Sequence, residues 1–85
     1  MMRYKRNKDF VWEKVAEGVV VVNGQTGMVY ELNETAGFIW RALNEKKTCQ
    51  NLIDLLSEEY EEVKGGDVKE SVKSMVKSGL LDEIV

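Results

Sequence analysis

The sequence predicts an α+β domain in which a three-stranded antiparallel sheet is followed by three helices. Strand-forming residues concentrate in the first third of the chain, whereas the remainder carries apolar residues at helical spacing. That order is typical of helices packed against one face of an antiparallel sheet. The chain has 85 residues, no proline and no linker-like stretch. We therefore expect a single domain, 1–85, with an ordered core over about 10–81.

Three short segments have the composition of strands. Phe10–Val15 is rich in aromatic and β-branched residues, and Val19–Val22 is an unbroken valine run, typical of a central strand. A turn at 16–18 is expected between them. The Asn-Gly pair that begins Asn23–Gly27 predicts a hairpin turn, since both residues tolerate positive φ. Met28–Leu32 forms the third strand, with alternate side chains on opposite faces.

The first two helices each begin at a recognisable cap. Asn33 is the expected N-cap of the first, whose apolar stripe contains Ala36, Ile39, Trp40 and Leu43. Gly37 within this helix suggests close packing. Thr48 is the expected cap of the second helix, although Asn51 occupies the position where Glu would complete a capping box. The apolar face of that helix comprises Cys49, Leu52, Ile53, Leu56 and Tyr60.

The third helix is expected to start after Gly65-Gly66, which should break the chain. Asp67 and Glu70 then form a capping-box pattern. Gly79 marks the C-terminal stop, beyond which Leu80 and Leu81 return to the core and 82–85 trail out. The apolar stripe consists of Val68, Val72, Met75 and Val76. Three strands and three helices of this size predict a winged helix-turn-helix-like arrangement.

Composition argues against catalysis. The chain contains no histidine and a single cysteine, Cys49, which is expected to be a small core residue. These absences leave no Ser-His or Cys-His nucleophile pair, no ordinary zinc site and no internal disulfide. We therefore predict a protein that is not an enzyme and holds neither metal nor cofactor.

Charge and hydropathy restrict the classes of partner that the chain is expected to bind. The formal net charge is −3, which gives no overall attraction to nucleic acid or anionic lipid. No apolar run approaches the length of a membrane span. A cytoplasmic location is the default expectation.

One run of residues resembles a known family. Tyr30-Glu31-Leu32-Asn33-Glu34-Thr35-Ala36, followed by Ile39-Trp40, is similar to the signature of the PqqD-like family. The resemblance extends from Val11 to Leu81 and includes the Glu58-Glu59-Tyr60 helix end and the closing Ser78-Gly79-Leu80-Leu81. The Leu-Asn-Glu-Thr-Ala segment is its most specific part.

The resemblance implies a function in peptide modification. Such domains are recognition elements for ribosomally made precursor peptides, including the precursor of pyrroloquinoline quinone (PQQ). They bind the leader segment and present the peptide to a modifying enzyme, frequently of the radical SAM type. The leader adds as an antiparallel strand beside the third strand and lies in a cleft against the third helix.

The residues suggest where a leader would bind. Strand addition requires an edge with free backbone groups, and the proline-free residues Met28, Val29, Tyr30 and Glu31 are the candidates. On the third helix, we expect Val72 and Val76 to contact apolar leader residues and Lys69 and Lys73 to contact acidic ones. The alternative is that the lysines form a solvated face.

Two other functions remain open at this stage. One is DNA binding by a winged helix, which the acidic charge and a hairpin without Lys or Arg weigh against. The other is a structural subunit that stabilises a partner enzyme without touching the peptide. Either a monomer or a homodimer is compatible with an exposed edge strand.

Overall fold

The computed structural model describes residues 1–16 and 18–85, and within them it confirms the predicted α+β fold. The predicted turn at 16–18 includes Glu17, which lies outside the described residues. The elements, in chain order, are β1 (Arg3–Arg6), β2 (Phe10–Val15), β3 (Gly18–Asn23), β4 (Val29–Leu32), α1 (Glu34–Ala42), α2 (Cys49–Glu59), α3 (Gly65–Lys77) and β5 (Leu81–Ile84).

The main sheet is antiparallel in the order β2-β3-β4, so that β3 is central. Val19 pairs with Leu32 and Val21 with Tyr30. Both valines are buried on the inner face, whereas Val20, on the outer face, is only partly buried. The alternation of side chains along β3 therefore places one face of the sheet against the core. The strand order leaves β2 and β4 as the two edges of the sheet.

The loop between β3 and β4 is held by different interactions from those of the expected Asn-Gly turn. Among the described residues, positive φ occurs only at glycine, and in this loop only at Gly27 (φ 77°). Asn23 instead acts through its side chain, whose oxygen accepts the N–H groups of Gln25 and Thr26 at 2.7 and 3.0 Å. The turn is thus a longer loop held by an asparagine side chain.

Helix α1 lies directly on β3. Its predicted N-cap is confirmed, because the Asn33 side chain accepts the Ala36 N–H at 2.9 Å. Ile39 and Trp40 are completely buried. Gly37 permits the close packing expected of it: a Cβ there would lie 3.1 Å from Cγ2 of Val19.

Helix α2 has a full capping box, contrary to expectation. The Thr48 hydroxyl accepts the Asn51 N–H, and the Asn51 side-chain oxygen accepts the Thr48 N–H, both at 3.1 Å. An asparagine side chain is long enough to close the box, so Glu is not required at this position.

Helix α3 begins earlier than predicted. Its first residue is Gly65, and Lys64 occupies the N-cap without a side-chain hydrogen bond. Gly65-Gly66 therefore form the first turn instead of breaking the chain, and Asp67 supplies a carboxylate beside the helix N-terminus. The predicted stop at Gly79 is confirmed.

The end of α3 is a Schellman motif. Gly79 adopts a φ of 82°, its N–H donates to the Val76 carbonyl at 3.0 Å, and the Leu80 N–H donates to the Met75 carbonyl at 2.9 Å. The motif turns the chain back so that Leu80 and Leu81 enter the core.

The last residues do not trail out, because they pair with the first. Strands β1 and β5 form a separate two-stranded antiparallel sheet in which Arg3 pairs with Ile84 and Arg6 with Leu81. Neither strand was expected from the sequence. Their pairing joins opposite ends of the chain, so no local sequence pattern predicts it.

Arg6 connects this small sheet to the core. Its Nε donates to the Leu43 carbonyl at 3.1 Å. The guanidinium carbon lies 5.4 Å from the Trp12 ring centre and 5.7 Å from that of Trp40, within cation–π range. Burial lowers the pKa of Arg6 from its ordinary value, but a guanidinium stays charged at neutral pH.

Gly18→Ala is expected to destabilise the domain by about 1–3 kcal/mol, as overpacking does. A Cβ at Gly18 would overlap the Leu32 carbonyl oxygen, which belongs to the backbone of the neighbouring strand. Gly66→Ala is the control, since a Cβ there meets nothing within 4 Å and the position lies in a helix. Urea unfolding measures both, and equal stabilities of the two variants would contradict the packing argument.

Candidate peptide-binding site

Strand β4 exposes unpaired backbone groups at the edge of the sheet. The Asn23 N–H donates to the Met28 carbonyl at 2.8 Å, and the register continues without a bulge to Leu32. Because backbone groups alternate in direction along an antiparallel strand, Tyr30 turns its N–H and C=O toward β3. Val29 and Glu31 therefore turn theirs outward, which leaves two donors and two acceptors for an added strand.

A cleft of about 390 Å³ runs between this edge and helix α3. One wall is formed by Tyr30–Leu32 at the edge, and the facing wall by one flank of the helix. The helix side chains that line it are Glu70, Ser71, Ser74, Met75 and Ser78. Three serines keep this wall low and polar, so the cleft has room for side chains from a peptide lying along β4.

The wall of the cleft formed by β4 is supported by aromatic packing. The Tyr30 and Phe10 ring centres are 6.1 Å apart, and Phe10 lies edge-on to Trp40 at 6.2 Å. Such tilted pairs are favourable geometries for aromatic rings. The contacts tie β4 through the core to helix α1, so the edge is held in place before any ligand arrives.

The structure brings together only part of the predicted site. Tyr30 and Glu31 line the cleft, while Met28 and Val29, at 55% and 58% exposure, lie at the start of the edge. Val72 is buried in the core with 1% exposure.

The other predicted helix residues lie elsewhere. Lys69, Lys73 and Val76 line a separate groove on the opposite flank of α3, next to Tyr4 and Cys49. The serine flank was visible in the sequence as small polar residues at i, i+3 and i+7 from position 71. Nothing in the pattern indicated which flank would face β4.

The charge of the cleft is negative. Among the described residues that line it, Glu31 and Glu70 are the acidic ones, and none is a lysine or an arginine. A bound segment would therefore meet carboxylates, hydroxyls and apolar surface.

The described residues include no candidate metal centre. They contain no group of three or more His, Cys, Asp or Glu side chains placed to hold a metal ion. Across 1–16 and 18–85, no helix has both the length and the apolar character that crossing a membrane requires.

Comparison with known proteins agrees with the architecture. The family model described as Coenzyme PQQ synthesis protein D (PqqD) matches residues 18–81. No curated protein matches the chain.

Two solved structures share the fold. One is TbiB1, solved in complex with the TbiA(beta) leader peptide, with a TM-score of 0.76 and 24% identity over 92% of this chain and 94% of that chain. The other is lasso peptide synthetase B1, complexed with the leader peptide, with a TM-score of 0.73 and 23% identity over 93% and 96% of the two chains.

The outward direction of the edge groups has a measurable consequence. In the free chain, the amides of Val29 and Glu31 should exchange with deuterium at least about tenfold faster than that of Tyr30, because only the last is hydrogen-bonded to β3. Amide-resolved NMR exchange measures this difference. Equal protection of all three amides would show that the edge is covered in solution.

Proposed function

Since the chain belongs to the PqqD family, we propose that it binds the leader segment of a ribosomally made precursor peptide by strand addition to β4. The open edge formed by Val29 and Glu31, directly beside the α3 cleft, is the observation that carries the proposal. The two similar structures, each solved with a leader peptide, support it. The protein would act as an adaptor and not as an enzyme, as members of this family generally do.

The geometry defines how the leader would pair. Two leader residues at i and i+2 would exchange backbone hydrogen bonds with Val29 and Glu31, whose spacing along a strand is about 6.6–6.8 Å. Leader side chains on the inner side would enter the cleft against Ser71 and Ser74. Those on the outer side would continue the row formed by Val22 and Val29, which pair across the sheet. Backbone pairing supplies affinity, and the cleft supplies selectivity.

The cleft also constrains the composition of the leader. Glu31 and Glu70 line it without a compensating cation, so an acidic leader residue would be repelled there. We propose that the segment held against α3 carries apolar and neutral or basic side chains. This differs from the expected contact of acidic leader residues with Lys69 and Lys73, since those lysines lie across the helix from the cleft.

Delivery to a modifying enzyme completes the proposal. A domain that captures a leader but has no catalytic groups requires a second protein that modifies the core peptide. A radical SAM enzyme is the partner class that the family resemblance favours, in PQQ or a related pathway. A cytoplasmic location stays a prediction.

Glu31→Pro should weaken leader binding by about tenfold or more, since it removes an outward N–H that pairs with the ligand. The ligand is a synthetic leader peptide that binds the unaltered chain, and calorimetry measures its Kd. Lys14→Pro is the matched control, because Lys14 has the equivalent outward N–H on the opposite edge, β2. Glu31→Gln controls for charge. Equal weakening by both proline variants would contradict addition at β4.

Filling the cleft with a larger side chain should also block binding of the leader. Ser74→Tyr places a ring between α3 and β4, whereas Lys73→Tyr adds the same ring on the other flank of the same helix. We expect the first change to weaken binding at least about tenfold and the second to leave it within about twofold. The opposite result would favour the lysine flank.

The same titration separates this function from the two alternatives. A folded chain that binds its enzyme but no leader would be a structural subunit. Salt-dependent retention on duplex DNA without any peptide would favour a winged-helix DNA-binding protein.

A further inference from the structure

A second groove lies on the flank of α3 away from the leader cleft. Its volume is about 810 Å³, and its walls come from α3, the start of α2 and the two terminal strands. Met2, Tyr4, Cys49 and Val76 supply apolar wall. We call this the lysine groove, after Lys69, Lys73 and Lys77, which also line it.

The three lysines form a regular cationic row. They occur at i, i+4 and i+8 on one helix, and so are spaced by about 6 Å along its axis. Among the described residues, the only side-chain ion pair within 4 Å joins Lys47 to Glu45, so none of the three has an acidic partner there. Glu83 is the single carboxylate in the lining. The row is a local excess of positive charge in a chain of net charge −3.

The lysine groove also contains a partly buried tyrosine. Tyr4 is half-buried, and burial raises the pKa of its phenol, with Cys49 and Glu83 adding to the effect. Tyr4 also anchors β1 to the loop before α2, where its N–H donates to the Lys47 carbonyl at 2.8 Å. The apolar wall therefore belongs to a structured surface.

We propose that the lysine groove is a second interaction site, which binds an acidic amphipathic segment of a partner protein. Carboxylates one helical turn apart on such a segment would match the lysine spacing, while its apolar side chains cover Tyr4 and Val76. The site is independent of the leader cleft, because the buried stripe of Val68, Val72 and Met75 separates the two flanks of α3.

Other occupants fit the groove less well. Nucleic acid phosphates pair with cations on polar surfaces, and an apolar wall beside Glu83 gives them no partner. A two-fold dimer through this face would bring lysines against lysines. The acidic stretch Glu58–Glu62 of a second copy has suitable charge, but using it would produce an open head-to-tail chain.

The test uses the whole chain and a defined probe. The probe is a synthetic 15-residue amphipathic peptide with glutamate at every fourth position on one face, leucine on the adjacent face and glutamine elsewhere, compared with the counterpart in which lysine replaces each glutamate. We expect NMR titration in low salt to shift the amides of Tyr4, Cys49 and Lys73 with the acidic peptide only, and to leave Val29 and Glu31 unmoved. Added salt should weaken the binding.

A charge-reversal pair makes the test specific. Lys69→Glu with Lys73→Glu should weaken probe binding at least about tenfold. Lys14→Glu with Lys46→Glu changes the net charge equally at exposed positions outside the groove and should leave binding within about twofold. Circular dichroism checks the fold of both. Leader binding, measured on the same variants, should be unchanged, so failure here is distinct from failure at β4.

Four results would overturn the proposal. They are the absence of shifts at millimolar probe, shifts centred on the leader cleft, equal weakening by the two charge-reversed pairs, and self-association that only the Lys69 and Lys73 reversal abolishes. The last would assign the groove to Glu58–Glu62 of a second copy.

Discussion

The structure depends on the close approach of helix α1 to strand β3. At Gly37 even one added carbon would press against Val19, and this proximity buries Ile39 and Trp40 completely. A domain of this size has a single modest core, so these side chains and the inner valines of β3 supply much of its apolar burial. The Trp40 indole N–H has no acceptor among the described residues, which marks how far packing dominates over polar satisfaction at this point.

That packing determines what stays open. With α1 covering the inner face of the sheet, α3 packs at the side and leaves β4 without a further strand. An exposed edge is normally an aggregation hazard, which proteins limit by keeping it short and charged. Strand β4 has four residues and an exposed Glu31, so its edge is restrained in the same way. The feature on which the proposed peptide capture rests is thus also the one that most needs protection.

Helix α3 has two flanks of opposite charge, one for each of the two proposed sites. The flank toward β4 carries Glu70 and serines, and the other flank carries Lys69, Lys73 and Lys77. A leader and a partner segment of different composition could occupy them together, since neither site uses the side chains of the other. Under the proposed function, this separation would let the chain hold a leader and a partner segment at the same time.

Local sequence patterns were sufficient to predict the Asn33 cap, the Gly79 stop and the three strands of the main sheet. The sequence also predicted an open edge at Met28–Glu31, within which the strand register turns the backbone groups of Val29 and Glu31 outward. Two details were missed. One is the Asn51 capping box, which depends on side-chain reach, and the other is the start of α3 at Gly65, where the N-cap residue makes no side-chain hydrogen bond.

Two features follow from tertiary packing and could not be predicted from the sequence. The first is the pairing of β1 with β5, and the second is which flank of α3 faces β4. The first joins residues about eighty positions apart, and the free energy of such contacts has no local signature. The second depends on how α3 rotates about its axis. Its buried stripe of Val68, Val72 and Met75 is flanked by polar residues on both sides, so the serine and lysine flanks are equivalent until the helix packs.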